Sequence, residues 1–225
     1  MPENNNVETV EENVENVENG DCGDCGIAVS SNFTYGYIES LVMEDVEARK
    51  LYINGEINET LMENITYYIL KYNAVDKGVP VDERRPIFLY INSVGGSVLD
   101  AMSLISTMLV SKTKIYTINL GYNLSCGFLI SLAGSKRYAY KDSVYLSHDG
   151  SAGNYDNNAK ILDWARFLTM QNKRIKDYVM SRSNITSKKY DSLFREDYWF
   201  YGDTAKEYKF LDFIIGEDCD IDEIV

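Results

Sequence analysis

Apolar and polar positions along this chain alternate between two rhythms: short strand-like runs, and longer stretches in which apolar residues recur every three or four positions. Residues 51–57 (LYINGEI) read as a strand and turn, and residues 59–73 as a helix with Leu61, Ile65, Ile69 and Tyr72 at helical spacing. A second strand, IFLYIN at 87–92, breaks into the paired glycines Gly95 and Gly96 and then into the helical periodicity of 99–109. The unit repeats in KIYTINL at 114–120, followed by Gly121 and by Ser125-Cys126-Gly127 at the head of the apolar helix 128–134. Residues 138–147 alternate like a strand, with Lys141-Asp142-Ser143 as its turn. The longest helical pattern runs over 157–181, with Ile161, Leu162, Ala165, Leu168, Ile175 and Val179 on one side and Trp164 and Phe167 beside them. Strand and helix in succession predict an α/β fold, in which functional residues gather where strand ends meet helix N-termini.

A length of 225 residues with 45% apolar content suffices for one well-buried core. The net charge of −13 is concentrated at the ends. Residues 1–30 hold eight acidic groups and no Lys or Arg, and residues 217–225 hold five more, so residues 31–216 carry 22 acidic against 22 basic side chains. A neutral body without a basic cluster excludes a nucleic-acid-binding role. The opening segment repeats an Glu-Asn-Val unit and reads as a disordered acidic extension, 1–30, ahead of a single domain, 31–216, and an acidic tail, 217–225. No stretch has the pattern of a signal peptide or the length of a membrane span, so a cytoplasmic protein with no membrane partner is expected. Cys22 and Cys25 form a lone C-x-x-C in the acidic extension, which would need ligands from another chain to hold zinc; no metal or cofactor is expected.

Candidate chemistry centres on the chain's one histidine, His148, the only imidazole available to move protons near neutral pH. Ser125 stands at a strand-to-helix junction, where a hydroxyl is presented at an exposed elbow and the N–H of Cys126 points to the same side. Gly95 and Gly96 form a second such junction, with backbone N–H groups free to face an oxygen. A nucleophile, a base and two oxyanion donors are therefore all present at element ends.

In order along the chain, INSVGGSV (91–98), LSCG (124–127) and SHDG (147–150) resemble the INSPGG, ASMG and MIHQP segments of the Clp peptidase family, ClpP, whose fold is shared with the crotonases. The resemblance covers residues 35–215. It implies an α/β ClpP/crotonase-like fold of repeated strand–helix units, with residues 157–181 as the family's long handle helix. It implies that Ser125 is the nucleophile, His148 the general base, and Gly96 and Cys126 the oxyanion donors. Laying 203–212 over the family's closing stretch puts the triad acid on Asp197, with Asp149, beside the histidine, as the alternative. Val94 replaces the family's proline, Cys126 its methionine, Asp149-Gly150 its Gln-Pro, and Glu196 an arginine used between rings.

The activity implied is that of a serine endopeptidase that cleaves unfolded polypeptides through an acyl-enzyme, as the proteolytic subunit of an ATP-dependent Clp protease. Seven subunits would form a ring, two rings would stack, and an AAA+ unfoldase would dock on a face lined by Phe88, Tyr90, Ile118, Leu120, Tyr138 and Tyr140. A viral prohead peptidase of the same fold and an inactive ring subunit or adaptor are the alternatives. A crotonase-type acyl-CoA enzyme ranks below them, since it has no need of the serine–histidine pair.

Overall fold

A computed structural model describes residues 37–153, 155–193 and 195–225. The acidic extension 1–30 and its Cys22–Cys25 pair lie outside them. Among the described residues, α1 (Tyr37–Glu47) leads into β1 (Lys50–Ile57), then a π-helical turn (Met62–Thr66) that continues into α2 (Tyr67–Val75). Two strand–helix units follow: β2 (Ile87–Gly96) with α3 (Val98–Val110), and β3 (Ile115–Leu124) with the short α4 (Cys126–Ser131). Next come β4 (Lys136–Ala139), β5 (Val144–Ser147), the long α5 (Asn158–Ser181), α6 (Ser187–Leu193), β6 (Tyr198–Tyr201), α7 (Gly202–Glu207), β7 (Phe213–Ile214) and a 3₁₀ turn (Ile221–Glu223).

The strands form one seven-stranded sheet in which β1, β2, β3, β4 and β7 lie side by side in parallel. The sequence expectation of a single turned strand over 138–147 is corrected. Its halves do not pair with each other; each lies parallel to β3, with β4 beside Tyr116–Asn119 and β5 beside Tyr122–Leu124. The chain thus forks after β3, and β5 leaves the main sheet carrying β6 antiparallel on its other edge.

One face of the sheet is covered by helices. Leu51, Ile53, Ile87, Leu89, Ile91 and Ile115 point into this layer and meet Ile65 and Ile69 from the first helical segment and Leu104, Ile105 and Met108 from α3. Each fully buried side chain of this size contributes about 1.5–3 kcal/mol relative to exposure. The period of two in the strands and the period of 3.6 in the helices bring these residues together, as the sequence pattern requires.

Alternate residues of the same strands build a second, aromatic cluster on the opposite face. Tyr52, Tyr90, Ile118, Tyr138 and Phe213 stand in one register row across five parallel strands. Tyr52 stacks on Tyr90 with ring centroids 4.9 Å apart, and Tyr138 on Phe213 at 5.1 Å. The acidic tail, 217–225, folds back against this row, with Ile224 buried among Tyr90, Ile118 and Tyr138.

The helix expected over 157–181 is α5, capped by Asn157, whose side chain accepts the Lys160 N–H. Among the described residues, α5 is fully buried only near its end, at Tyr178 and Val179, while Trp164, Leu168 and Ile175 are half-buried. Ile161, Leu162, Phe167 and Met170 remain exposed, so within one chain the stripe is not a core face along most of its length.

Candidate active site

Ser125 sits between β3 and α4 with φ 53° and ψ −117°, a conformation that side chains other than glycine rarely adopt. Such a sharp strand-to-helix turn lifts the hydroxyl clear of both elements. Two contacts hold the turn. The Ser125 N–H donates to the Leu146 carbonyl of β5 at 2.9 Å. Gly95, at φ 95°, packs so closely that a Cβ there would lie 2.7 Å from the Ser125 Cβ and 2.8 Å from the Leu124 carbonyl.

The bond to Leu146 also places the histidine. With Leu124 and Leu146 paired across β3 and β5, His148 emerges two residues beyond, level with the elbow. Its Nε2 lies 2.8 Å from Ser125 Oγ. The antiparallel partner of β5 supplies the carboxylate: because Ser147 pairs with Tyr198, the next position outward sets Asp197 opposite His148. Asp197 Oδ1 stands 3.2 Å from His148 Nδ1. Register therefore brings Asp197 to the imidazole, whereas Asp149, one residue along the same strand end, lines the neighbouring cavity and has no hydrogen bond to the ring.

An aromatic cluster ties the three supporting elements together. Phe128 of α4 meets Tyr145 of β5, Phe200 of β6 and Phe210 edge-on, at centroid distances of 6.1, 5.6 and 5.0 Å. Edge-to-face pairs of this kind add about 0.5–1.5 kcal/mol each beyond area burial.

Gly96, at φ 149°, lies against β1 so tightly that a Cβ would fall 2.2 Å from the Ile57 carbonyl. The Cys126 thiol donates to the Gly96 carbonyl at 3.2 Å, linking the glycine turn to the serine elbow. Burial pushes the Cys126 thiol up from its ordinary pKa, so it stays protonated and buried, unsuited to nucleophilic attack. Ser93 adds a clasp: its hydroxyl donates to the Gly55 carbonyl at 2.6 Å and accepts the Gly95 N–H at 3.1 Å.

A cavity of about 300 Å³ opens beside Ser125 and His148, walled by Val98, Leu129, Ile175, Lys176 and Tyr190. Lys176 bridges to Asp191 at 2.6 Å, pinning α5 to α6 along one wall. Ser93, Lys176, Tyr190 and Asp191 were not among the sequence candidates. They belong to elements whose patterns announce only helix or strand, and nothing local marks which residues will face Ser125.

Of the expected docking positions, Tyr90, Ile118 and Tyr138 are buried, Phe88 is half-buried, and Leu120 and Tyr140 are exposed. Glu196 is exposed. Among the described residues no group of three or more His, Cys, Asp or Glu side chains is arranged to hold a metal, and no helix is long and apolar enough to cross a membrane.

A family model described as Clp protease matches residues 36–218. ATP-dependent Clp protease proteolytic subunit 2 of Treponema pallidum is 28% identical over 180 residues, covering 78% of this chain and 86% of that protein. The protein of the same name from Tropheryma whipplei is 29% identical over 174 residues, covering 76% and 93%. ATP-dependent Clp protease proteolytic subunit 1 of Corynebacterium jeikeium is 27% identical over 187 residues, covering 82% and 96%. With the family match spanning most of the chain and a forked parallel sheet with helices packed on one face, the chain belongs to the Clp protease family and is a peptidase of the ClpP type, with the ClpP/crotonase-like α/β fold.

Proposed function

We propose that the chain is a serine endopeptidase in which Ser125, His148 and Asp197 act as one unit on unfolded polypeptide. The observation that carries this reading is the unbroken polar chain from Ser125 Oγ to His148 Nε2 at 2.8 Å and from His148 Nδ1 to Asp197 at 3.2 Å. Ser125 Oγ adds to the carbonyl carbon of the scissile peptide while its proton passes to His148 Nε2. Asp197 accepts the Nδ1–H, fixes the tautomer and stabilises the imidazolium. The N–H groups of Gly96 and Cys126 donate to the developing oxyanion. Collapse breaks the C–N bond as His148 returns the proton to the departing amine, leaving an ester on Ser125. Water, deprotonated by His148, then attacks that ester, releases the new carboxyl end and restores the serine.

The same reading assigns the remaining partners. Homo-oligomeric rings of seven, singly or stacked in pairs, would enclose the site, and the exposed apolar residues of α5 supply a surface for a second copy. An AAA+ unfoldase, consuming the ATP, would feed substrate in the cytoplasm after docking on the aromatic face of the sheet. The decisive test is intact-mass measurement after treatment with a fluorophosphonate. One adduct per chain is expected in the wild type and none in Ser125→Ala; equal labelling of both would remove Ser125 as the nucleophile.

A further inference from the structure

The aromatic face of the sheet is divided into an open half and a covered half. In the open half, Tyr52 and Leu120 are exposed beside a hollow of about 520 Å³ whose wall Tyr90 shares at the boundary, and Tyr140 is exposed nearby. In the other half, Tyr90, Ile118 and Tyr138 are buried together with Ile224 of the C-terminal segment, which is 2% exposed.

The way the segment is attached is uneven. Its root is firm: Asp218 accepts the Ile214 N–H at 2.7 Å and pairs with Lys206. Beyond Cys219 the side chains of Asp220, Ile221, Asp222, Glu223 and Val225 all face solvent, and Ile224 alone is buried. The anchor is one aliphatic side chain plus one backbone carbonyl, the Ile224 C=O, to which the Tyr90 hydroxyl donates. Beneath this contact the Tyr138 hydroxyl is buried without a hydrogen-bond partner among the described residues, a cost that opening the face would relieve. Buried hydroxyls in native cores are as a rule hydrogen-bonded, so the unpaired Tyr138 hydroxyl marks an incomplete contact.

We infer that residues 220–225 are an intramolecular ligand of this face, a displaceable cover that a docking partner must replace. The regulatory meaning rests on reading this face as the unfoldase docking surface. Occupancy by the acidic segment then sets a threshold that a docking partner has to exceed.

The test compares the full chain with a variant ending at Cys219 and with full-length Ile224→Asp, using the neutral dye Nile red so that removed acidic groups do not alter dye binding through charge. Several-fold brighter emission is expected from both variants. A synthetic peptide of residues 217–225, added at millimolar concentration, should suppress the emission of the shortened chain, and the same peptide carrying Ile224→Asp should not. Unchanged emission in the variants would overturn the inference. Failure of the peptide to act in trans would also overturn it, by making the segment a fixed wall instead of a ligand. Should both variants fail to fold, full-length Tyr90→Phe serves: loss of the hydroxyl donor should raise hydrogen exchange at residues 221–225 about fivefold, and unaltered exchange would refute the cover. Fluorophosphonate labelling of Ser125 in the wild-type sample is a separate readout. Its failure would count against the peptidase mechanism and leave the dye result standing.

Discussion

Ser125 shows how much of the chemistry depends on single backbone conformations. With φ at 53° and Gly95 pressed against it, the elbow tolerates no side chain at the neighbouring glycine. Gly95→Ala should therefore cost activity even though no reacting atom changes, with a fall in kcat measured on a fluorogenic peptide and labelling of Ser125 slowed in parallel. Removing either Ser125 or His148 should cost roughly six orders of magnitude in kcat, because members of such a unit fail together. The acid is distinguished by register: Asp197→Asn is expected to lower kcat on the order of 10⁴-fold with the fold intact, by favouring the wrong imidazole tautomer. Asp149→Asn, whose carboxylate is not bonded to the ring, should be mild. The reverse ranking would transfer the orienting role to Asp149.

At the scale of elements, two clusters fix how strands and helices meet, one of them beside the site. Phe128 joins the helix after the serine to the strand bearing the histidine and the strand that follows the aspartate. Phe128→Ala should destabilise the fold by about 3–5 kcal/mol through the cavity it leaves, seen as a lower Tm with kcat falling before global unfolding. The second cluster lies elsewhere. Arg49 forms a two-pronged ion pair with Asp76 at 2.7 and 2.6 Å, and Thr113 donates to the same carboxylate at 2.7 Å, so β1, the end of α2 and the start of β3 share one buried contact. The hydrogen bond from Arg49, helped by Thr113, holds the Asp76 carboxyl below its ordinary 3.8. Its stabilisation is complete above that value and is lost as pH falls through the lower folded pKa. Asp76→Asn should cost about 3–5 kcal/mol near neutrality by leaving Arg49 buried and unpaired. In acid titrations followed by circular dichroism, the variant's stability should depend less steeply on pH below 3.8; equal slopes would show that Asp76 is not a principal acid-sensitive group.

For the whole molecule, the length of α5 that is left uncovered is the main clue to assembly. Leu162 is 59% exposed and Met170 likewise, on a helix that among the described residues is fully buried only in its last turns. Leu162→Glu together with Met170→Glu should shift native mass spectra from large rings toward smaller species. Glu196, where the resemblance leads one to expect an arginine, should make any pairing of rings weaker at low salt and stronger when charge is screened. A 25.7 kDa monomer at every salt concentration would defeat the enclosed chamber.

The alternation of periods in the sequence determined the α/β class and most element positions, because side-chain burial on a strand or helix follows directly from its repeat. The glycine pair, the serine elbow and the lone histidine were legible for a similar reason: each needs a particular residue at an element end. What the sequence left open was decided by pairing between distant segments. The antiparallel register of β5 and β6 set Asp197, and not Asp149, against the imidazole. The fork after β3 separated two strands that read as one. The exposed stripe of α5 and the return of Ile224 onto Tyr90 were equally hidden, since an apolar residue looks the same in sequence whether its own core, a second copy or the chain's own end covers it. Local pattern records which surface is apolar; only the tertiary structure decides what lies against it.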